Sequence, residues 1–148
     1  MRYYEDLTVG DVSMSSPRTL SREEMLEFAR RYDPQYFHTD EQAAKKSIFG
    51  DVIASGVYTT AIWRQLDHEI SSDIRWICGV AWDDVRWPLA VRSGDTLRAR
   101  ATVLSKRESD TRPERGIVVM LYEMLNAEDR LVWTAKSTNL IERRAFKS

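Results

Sequence analysis

Two segments in the first half of the chain carry apolar residues at helical spacing. In the first, Ser21 and Glu24 form the pattern of a capping box ahead of apolar positions 25, 28, 29 and 32. Pro34 disfavours helical geometry at the residue before it, so this helix is expected to end at Asp33. The second segment runs from Ser55 to about residue 70 and is rich in small residues, which let other backbone approach closely. It predicts the most buried helix of the chain.

The second half of the chain changes to strand patterns, in segments at residues 74–87, 97–103, 116–125 and 130–141. The last two are separated only by a polar turn at 126–129, which is too short for a parallel crossover and predicts an antiparallel hairpin. Between the two predicted helices, Thr39 is expected to cap a shorter one. Helices followed by consecutive strands indicate an α+β fold, with the helices on one face of an antiparallel sheet. Nothing divides the chain, so we expect one domain over residues 1–148.

Composition excludes several classes of function. The 148 residues are 43% hydrophobic and 30% charged, as in ordinary globular proteins, and the net charge of −1 argues against nucleic acid as the main partner. No apolar run approaches the roughly 18 residues of a membrane span. One cysteine, Cys78, and two histidines argue against a disulfide and against a metal site. We predict a cytoplasmic protein without a membrane partner, in which Cys78 is buried in its strand.

The residues with catalytic potential lie between the two predicted helices. Asp33 precedes His38 by five positions, and Gly56 begins the second helix. A carboxylate and an imidazole at short range can transfer protons, and backbone N–H groups at a helix start can stabilise an anion. Taken singly, Asp33 can simply end a helix and His38 can be an ordinary loop histidine.

The same residues form part of a longer set of spaced motifs. Asp33 to His38 is similar to an Asp-x-Asn-Pro-x-His pattern, and Phe49 and Gly56 follow at matching distances. The set also includes the opening at 4–11, the strand and proline at 85–88 and the Gly-Asp turn at 93–97. With these motifs the chain resembles the MaoC-like dehydratases, which include the (R)-specific enoyl-CoA hydratases. It departs from the hydratase pattern at Gln35, where Asn is usual, and at Ser55, where a second His is usual.

The resemblance implies a hot-dog fold, in which an antiparallel sheet wraps around a long central helix. It implies that water is added to, or removed from, the α,β double bond of an enoyl-CoA. Asp33 and His38 would carry the proton transfers, with acid and base unassigned, and the N–H of Gly56 would contact the thioester oxygen. No metal or redox cofactor is implied. CoA would enter as part of the substrate. A homodimer or a dimer of dimers is expected.

Two other functions are compatible with the same residues. A hot-dog thioesterase would hydrolyse the acyl-CoA and would not need His38. A non-catalytic hot-dog module would bind an acyl thioester or a partner subunit. The five tryptophans are expected in the core and a dimer interface, or lining an acyl pocket.

Overall fold

The computed structural model describes residues 1–146. Its helices are α1 (Arg22–Tyr32), α2 (Tyr36–Thr39), α3 (Glu41–Lys45) and α4 (Gly56–Ser71), with 3-10 turns at Tyr4–Asp6 and Arg144–Phe146. Helix α1 begins and ends where the sequence predicts: the Ser21 hydroxyl accepts from the N–H of Glu24, and Asp33 is the C-cap. No helix in the described range has the length and apolar character needed to cross a membrane.

The prediction that Thr39 caps the short third helix is wrong by one residue. Asp40 is the cap, and its carboxylate accepts hydrogen bonds from the N–H groups of Gln42 and Ala43 at 3.0 and 2.9 Å. Thr39 is the last residue of α2, where its hydroxyl donates to the carbonyl of Gln35. A carboxylate can accept from two N–H groups at once and is favoured by the positive end of the helix dipole. Asp40 therefore occupies the position predicted for the threonine.

One antiparallel sheet forms the other layer. Its strands are β1 (Val12–Met14), β2 (Arg18–Thr19), β3 (Trp76–Arg86), β4 (Thr96–Glu108), β5 (Arg115–Leu125) and β6 (Leu131–Glu142). Their order is β1-β4-β5-β6-β3, with β2 also paired to β4. Every pair is antiparallel, and β5 and β6 form the predicted hairpin. The expected α+β class is confirmed.

The core lies between α4 and the inner face of this sheet. Trp63 of α4 stacks on Trp133 of β6 with ring centroids 4.8 Å apart and contacts Tyr122 of β5 at 4.7 Å. All three side chains are buried. Helix α4 contributes more buried residues than any other helix in the described range, as its small and apolar residues predict. This packing fixes the start of α4 relative to the sheet.

Strand β3 is the least buried of the long strands. It pairs with β6 on one side, and it is the end strand of the sheet order. Most of its residues are exposed, including Val80 and Trp82. Cys78 is also exposed, so the prediction of a buried cysteine is wrong. The apolar sequence of β3 suggested burial, but the strand lies at an edge of the sheet, where α4 covers it only in part.

Candidate active site

Asp33 and His38 are brought together where α1 ends. Asp33 is the C-cap of α1, and its backbone N–H still donates to the carbonyl of Ala29. Pro34 separates it from the single turn of α2, which carries His38. The Nε2 atom of His38 lies 3.4 Å from the Oδ2 atom of Asp33. The short chain between them thus places an imidazole beside a carboxylate.

A backbone carbonyl fixes the orientation of the His38 ring. His38 is only 7% exposed, and its Nδ1 lies 2.8 Å from the carbonyl oxygen of Ile53. The N–H of Ile53 in turn donates to the carbonyl of Phe37, so the two segments hold each other. Because a carbonyl oxygen can only accept a hydrogen bond, Nδ1 carries a hydrogen. The second ring nitrogen, Nε2, is therefore the one directed at Asp33.

Ser55 connects Asp33 to the start of α4. It is fully buried, and its hydroxyl donates to Asp33 Oδ2 at 2.7 Å. The hydroxyl oxygen of Ser55 also accepts from the N–H of Val57 at 3.2 Å and so caps the helix. From the sequence, Ser55 could be placed as a cap, since serine favours that position. Its contact with Asp33 could not be predicted, because the two residues meet only through the tertiary fold.

Gly56 is covered by the indole ring of Trp87. The Trp87 Nε1–H donates to the carbonyl of Gly56 at 3.1 Å. A Cβ atom at Gly56 would lie 3.0 Å from atoms of this ring, so any other residue would push the ring away by a few tenths of an ångström. The N–H of Gly56 makes no hydrogen bond within residues 1–146. It is a free donor at a helix start, as anion stabilisation requires.

A cavity of about 240 Å³ lies beside His38 and Gly56, and Asp33 is not among the residues that line it. His38, Gly56 and Trp87 line it together with apolar side chains that include Phe49, Leu89 and Val91. Phe49, selected from the sequence by its spacing, lies in this wall. Trp87, for which the sequence left open the core, a dimer interface or a pocket wall, is half exposed and lines this cavity. The site is thus a small, largely apolar space lined by His38 and by Gly56, whose N–H is unpaired within residues 1–146.

Arg22 ties the elements around the site together. Its guanidinium forms a two-bond contact with Asp51, at 2.7 and 3.0 Å, and its Nε donates to Glu41 at 2.5 Å. A further bond of 3.2 Å reaches the hydroxyl of Ser93. The hydrogen bonds from Arg22, followed by that from the N–H of Val52, lower the pKa of Asp51 to about 2. Helix α1, helix α3 and the segment that leads to α4 are therefore held by one side chain.

Comparison with known proteins identifies the family. The sequence profile of the MaoC-like domain matches residues 8–121. The chain belongs to this family. The match includes the segment of Asp33 and His38, the start of α4 and most of the sheet.

Individual known proteins are similar to this chain over most of their length. The uncharacterized protein YdeM of Bacillus subtilis (strain 168) is 32% identical over 142 residues, which cover 94% of this chain and 98% of YdeM. A crystal structure of the MaoC-like dehydratase from Rhodospirillum rubrum is 34% identical, with a TM-score of 0.88 over 97% of this chain and 99% of that one. The R-hydratase PhaJ1 from Pseudomonas aeruginosa has the same fold, with a TM-score of 0.75 at 19% identity over 96% of this chain and 86% of PhaJ1. The predicted hot-dog fold is confirmed.

Proposed function

We propose that this protein adds water to the α,β double bond of an enoyl thioester, or removes it in the reverse reaction. The observation that carries the proposal is the orientation of His38. Its Nδ1 is engaged by the Ile53 carbonyl, and its Nε2 is left beside the Asp33 carboxylate. Gly56, whose N–H is free, lines the same cavity as His38. Membership of a family whose relatives include R-hydratases agrees with this reaction.

The pair is suited to hold one water molecule. In neutral His38, Nε2 is an acceptor, and the ionised Asp33 is also an acceptor. Two acceptors 3.4 Å apart do not bond to each other, but a water molecule can donate a hydrogen to each. Such a water would be positioned and polarised by both groups. This arrangement provides the nucleophile for hydration.

The proposed chemistry forms one C–O and one C–H bond. As the water oxygen bonds to C3 of the thioester, its proton passes to one member of the Asp33–His38 pair. The π electrons move toward the thioester oxygen, and C2 then receives a proton from the pair. The pair holds the same number of protons before and after the reaction. Which member acts at each step stays open.

Gly56 would stabilise the charge that develops during this reaction. Its N–H is preorganised at the start of α4, and removing one such donor typically costs about 2.7–4 kcal/mol of transition-state stabilisation. The proposed reaction uses no metal or redox cofactor, because the thioester itself supplies the electron-accepting carbonyl. CoA enters as part of the substrate.

We also infer that two copies of the chain pair through the exposed edge of β3. An unpaired strand edge with exposed apolar residues invites pairing with another chain. Val80 is 56% exposed and Trp82 is 49% exposed on this strand. A homodimer, or a dimer of dimers, would cover them.

The loss of enoyl-thioester absorbance on adding protein to crotonyl-CoA and to longer enoyl-CoAs tests the proposed reaction. We expect the wild-type protein to be active, and both Asp33→Asn and His38→Ala to be slower by about 10²–10⁴-fold, the usual contribution of a general acid or base. His68→Ala is the matched control, since His68 is exposed on α4 and should leave the rate unchanged.

Thiol release, followed with a chromogenic reagent, separates hydration from hydrolysis. Release of CoA that survives His38→Ala would show a thioesterase and contradict the proposed reaction. If the folded dimer binds enoyl-CoAs but hydrates none of them, the protein is the non-catalytic module instead.

A further inference from the structure

Thr59 adds a hydroxyl group to the wall of the cavity beside His38. It lies in the first turn of α4, three residues after Gly56, and it is 1% exposed. His38, Gly56 and Thr59 all line this cavity. Residues three apart on a helix are neighbours on one face, and a helical side chain leans toward the turn before it. The Thr59 side chain therefore leans toward the start of α4, where the N–H of Gly56 is free.

The hydroxyl of Thr59 has no hydrogen-bond partner in the part of the chain that the structure describes. The next residue, Thr60, makes the bond that is usual for a helical threonine, since its hydroxyl donates to the carbonyl of Gly56 at 2.9 Å. Thr59 binds the corresponding carbonyl, that of Ser55, through its backbone N–H at 3.0 Å and not through its hydroxyl. Folded proteins pair nearly all of their buried polar groups. The unpaired hydroxyl of Thr59 is therefore an exception that a bound ligand would explain.

This hydroxyl is open to the cavity and is not sealed in the core. In the described range, the side-chain nitrogen and oxygen atoms that are both inaccessible and unpaired belong to Trp63, Asp67 and Trp133. The Thr59 oxygen is unpaired but is not one of them, so it keeps some accessible surface. Thr59 lines the cavity beside His38, and nearly all of its remaining surface is buried. The accessible part of the hydroxyl therefore faces this cavity.

The rest of the cavity wall offers a ligand little else to bind by hydrogen bonds. Among the lining residues within 1–146, Thr59 is the only one with a side-chain hydroxyl. Trp87 already donates to the carbonyl of Gly56 at 3.1 Å, and Nδ1 of His38 is bound to the carbonyl of Ile53. Such a wall suits an apolar ligand with one oxygen atom near the start of α4. The acyl end of an enoyl thioester fits this description, because its carbonyl oxygen is its only oxygen.

We propose that Thr59 is a catalytic residue whose hydroxyl donates to the thioester oxygen beside the N–H of Gly56. The inference rests on the proposed hydration, in which negative charge develops on that oxygen as water bonds to C3. A carbonyl oxygen has two lone pairs and can accept from both donors at once. Because the charge is largest in the transition state, the hydroxyl should lower the barrier more than it tightens binding. The hydroxyl keeps its proton throughout.

Thr59→Val tests the role in turnover, because valine keeps the shape of the side chain and removes the hydroxyl. We expect kcat for crotonyl-CoA to fall about 10²-fold, the lower end for loss of one oxyanion donor, with KM changed less than about threefold. Thr59→Ser retains the hydroxyl and should keep most of the rate. Thr134→Val is the matched control, since the Thr134 hydroxyl donates to the carbonyl of Tyr122 at 3.1 Å and Thr134 does not line the cavity. Normal kcat in Thr59→Val, or equal losses in the valine and serine variants, would contradict the proposal.

Thermal unfolding separates this role from a structural one. The unpaired hydroxyl contributes no hydrogen bond to the folded chain, so Thr59→Val should keep or raise the Tm while it lowers kcat. Thr134→Val breaks a hydrogen bond and should lower the Tm without lowering kcat. A lower Tm together with lost activity in Thr59→Val would mean that the hydroxyl supports the fold, which contradicts the proposal.

An infrared measurement tests the contact without turnover. Butyryl-CoA labelled with ¹³C at its carbonyl has no double bond to hydrate, so it stays intact when bound. We expect its carbonyl stretch to move to lower frequency on the wild-type protein, because hydrogen-bond donors polarise the C=O bond, and to move less on Thr59→Val. An equal shift in both proteins, or no binding to the wild type, would overturn the proposal. A shift that depends on Thr59 in a protein without hydratase activity would support the contact and refute only the proposed reaction.

Discussion

At the scale of single residues, the candidate site depends on hydrogen bonds that leave certain atoms free. His38 is held through Nδ1, and this leaves Nε2 toward Asp33. Ser55 holds Asp33 through one oxygen and also caps α4. The position of Asp33 is thus coupled to the start of the helix that carries the free N–H of Gly56.

Removal of the Ser55 hydroxyl should affect both stability and turnover. Ser55→Ala removes a helix cap, which typically costs about 0.5–2 kcal/mol of unfolding free energy. It also releases Asp33, so we expect kcat to fall about tenfold, as for loss of one hydrogen bond to a charged group. Because Ser55 acts through Asp33, the pH profile of kcat should shift as well.

Ser21→Ala is the matched control, because Ser21 caps α1 without contacting Asp33. Thermal unfolding and steady-state kinetics on both variants separate the two effects. Equal losses of activity in both would mean that Ser55 acts only as a cap.

A side chain at Gly56 should reduce turnover more than stability. Gly56→Val forces the Trp87 ring away from its contact with the helix start, since even a Cβ atom would lie at 3.0 Å. We expect activity to fall about 10²–10³-fold if the thioester oxygen can no longer reach the N–H. Trp87 fluorescence should report displacement of its ring.

Gly79→Ala serves as the comparison for Gly56, since its Cβ would also meet a neighbour, the Oδ1 of Asn139 at 3.3 Å. It lies on β3 and should leave turnover intact. Near-normal hydratase activity in folded Gly56→Val would falsify the role proposed for the N–H.

The sequence predicts these residues unevenly. The spacing of Asp33, His38 and Gly56 is a local pattern, and a family motif preserves it. The partners that orient them come from elsewhere in the chain: the carbonyl of Ile53 and the indole of Trp87. Every residue has a backbone carbonyl, so the residue type at position 53 does not reveal that its carbonyl binds His38. Trp87 resembles any other aromatic residue until the fold places it over Gly56.

At the scale of elements, the short helices before α4 are held by ion pairs and by a small buried apolar cluster of Leu26, Ala44 and Val52. Arg22 of α1 binds Glu41 of α3 and Asp51 in the segment before α4. These side chains are partly exposed, so the contact is accessible to protons and salt. The position of the segment before α4, which contains Asp51, should therefore respond to pH.

We expect Asp51 to contribute to acid unfolding. Its pKa in the fold is about 2, below the ordinary value of 3.8, because Arg22 stabilises the ionised form. A lowered pKa means that the contribution is complete above the ordinary value and is lost as pH falls from about 4 toward 2. Asp51→Asn should lower the Tm near neutral pH and flatten its decline across this acid range.

Thermal unfolding monitored by circular dichroism at successive pH values measures this effect. Glu27→Gln is the control, as Glu27 is exposed on α1 and makes no ion pair within residues 1–146. An unchanged acid limb in Asp51→Asn would show that other carboxylates dominate.

Element boundaries followed from the sequence wherever a local signal was strong. Ser21 is predicted as a cap and is one, and the helix predicted from Ser55 begins at Gly56 with Ser55 as its cap. Thr39 was not distinguishable from Asp40, since both residue types cap helices and they are adjacent. Cys78 was misjudged because burial at a sheet edge depends on what covers the strand, and its own apolar sequence does not contain that information.

At the scale of the whole molecule, the edge strand β3 is left largely exposed by residues 1–146. It is exposed along most of its length and carries apolar side chains. Dimerisation would protect this edge and place a second copy beside the same sheet. A dependence of activity on assembly follows if the partner also closes the substrate space.

Val80→Arg should convert the protein to a monomer and abolish hydratase activity. The added charge would have to be buried in the proposed interface, which is strongly unfavourable. Val9→Arg is a close control, because Val9 is 55% exposed against 56% for Val80 and lies outside β3. Sedimentation velocity gives the assembly state, and the crotonyl-CoA assay gives the activity. Full activity in an isolated monomer would refute the dependence.

Ile53 illustrates how such a site can change its substrate without losing its chemistry. Its carbonyl holds the His38 ring, while its side chain lines the cavity beside that ring. The carbonyl is present whatever residue stands at this position. Substitution there can therefore reshape the space for the acyl group and leave the imidazole where it is. Selectivity and proton transfer can diverge independently at one residue, so variation at position 53 among related chains would record a change of substrate rather than decay of the site.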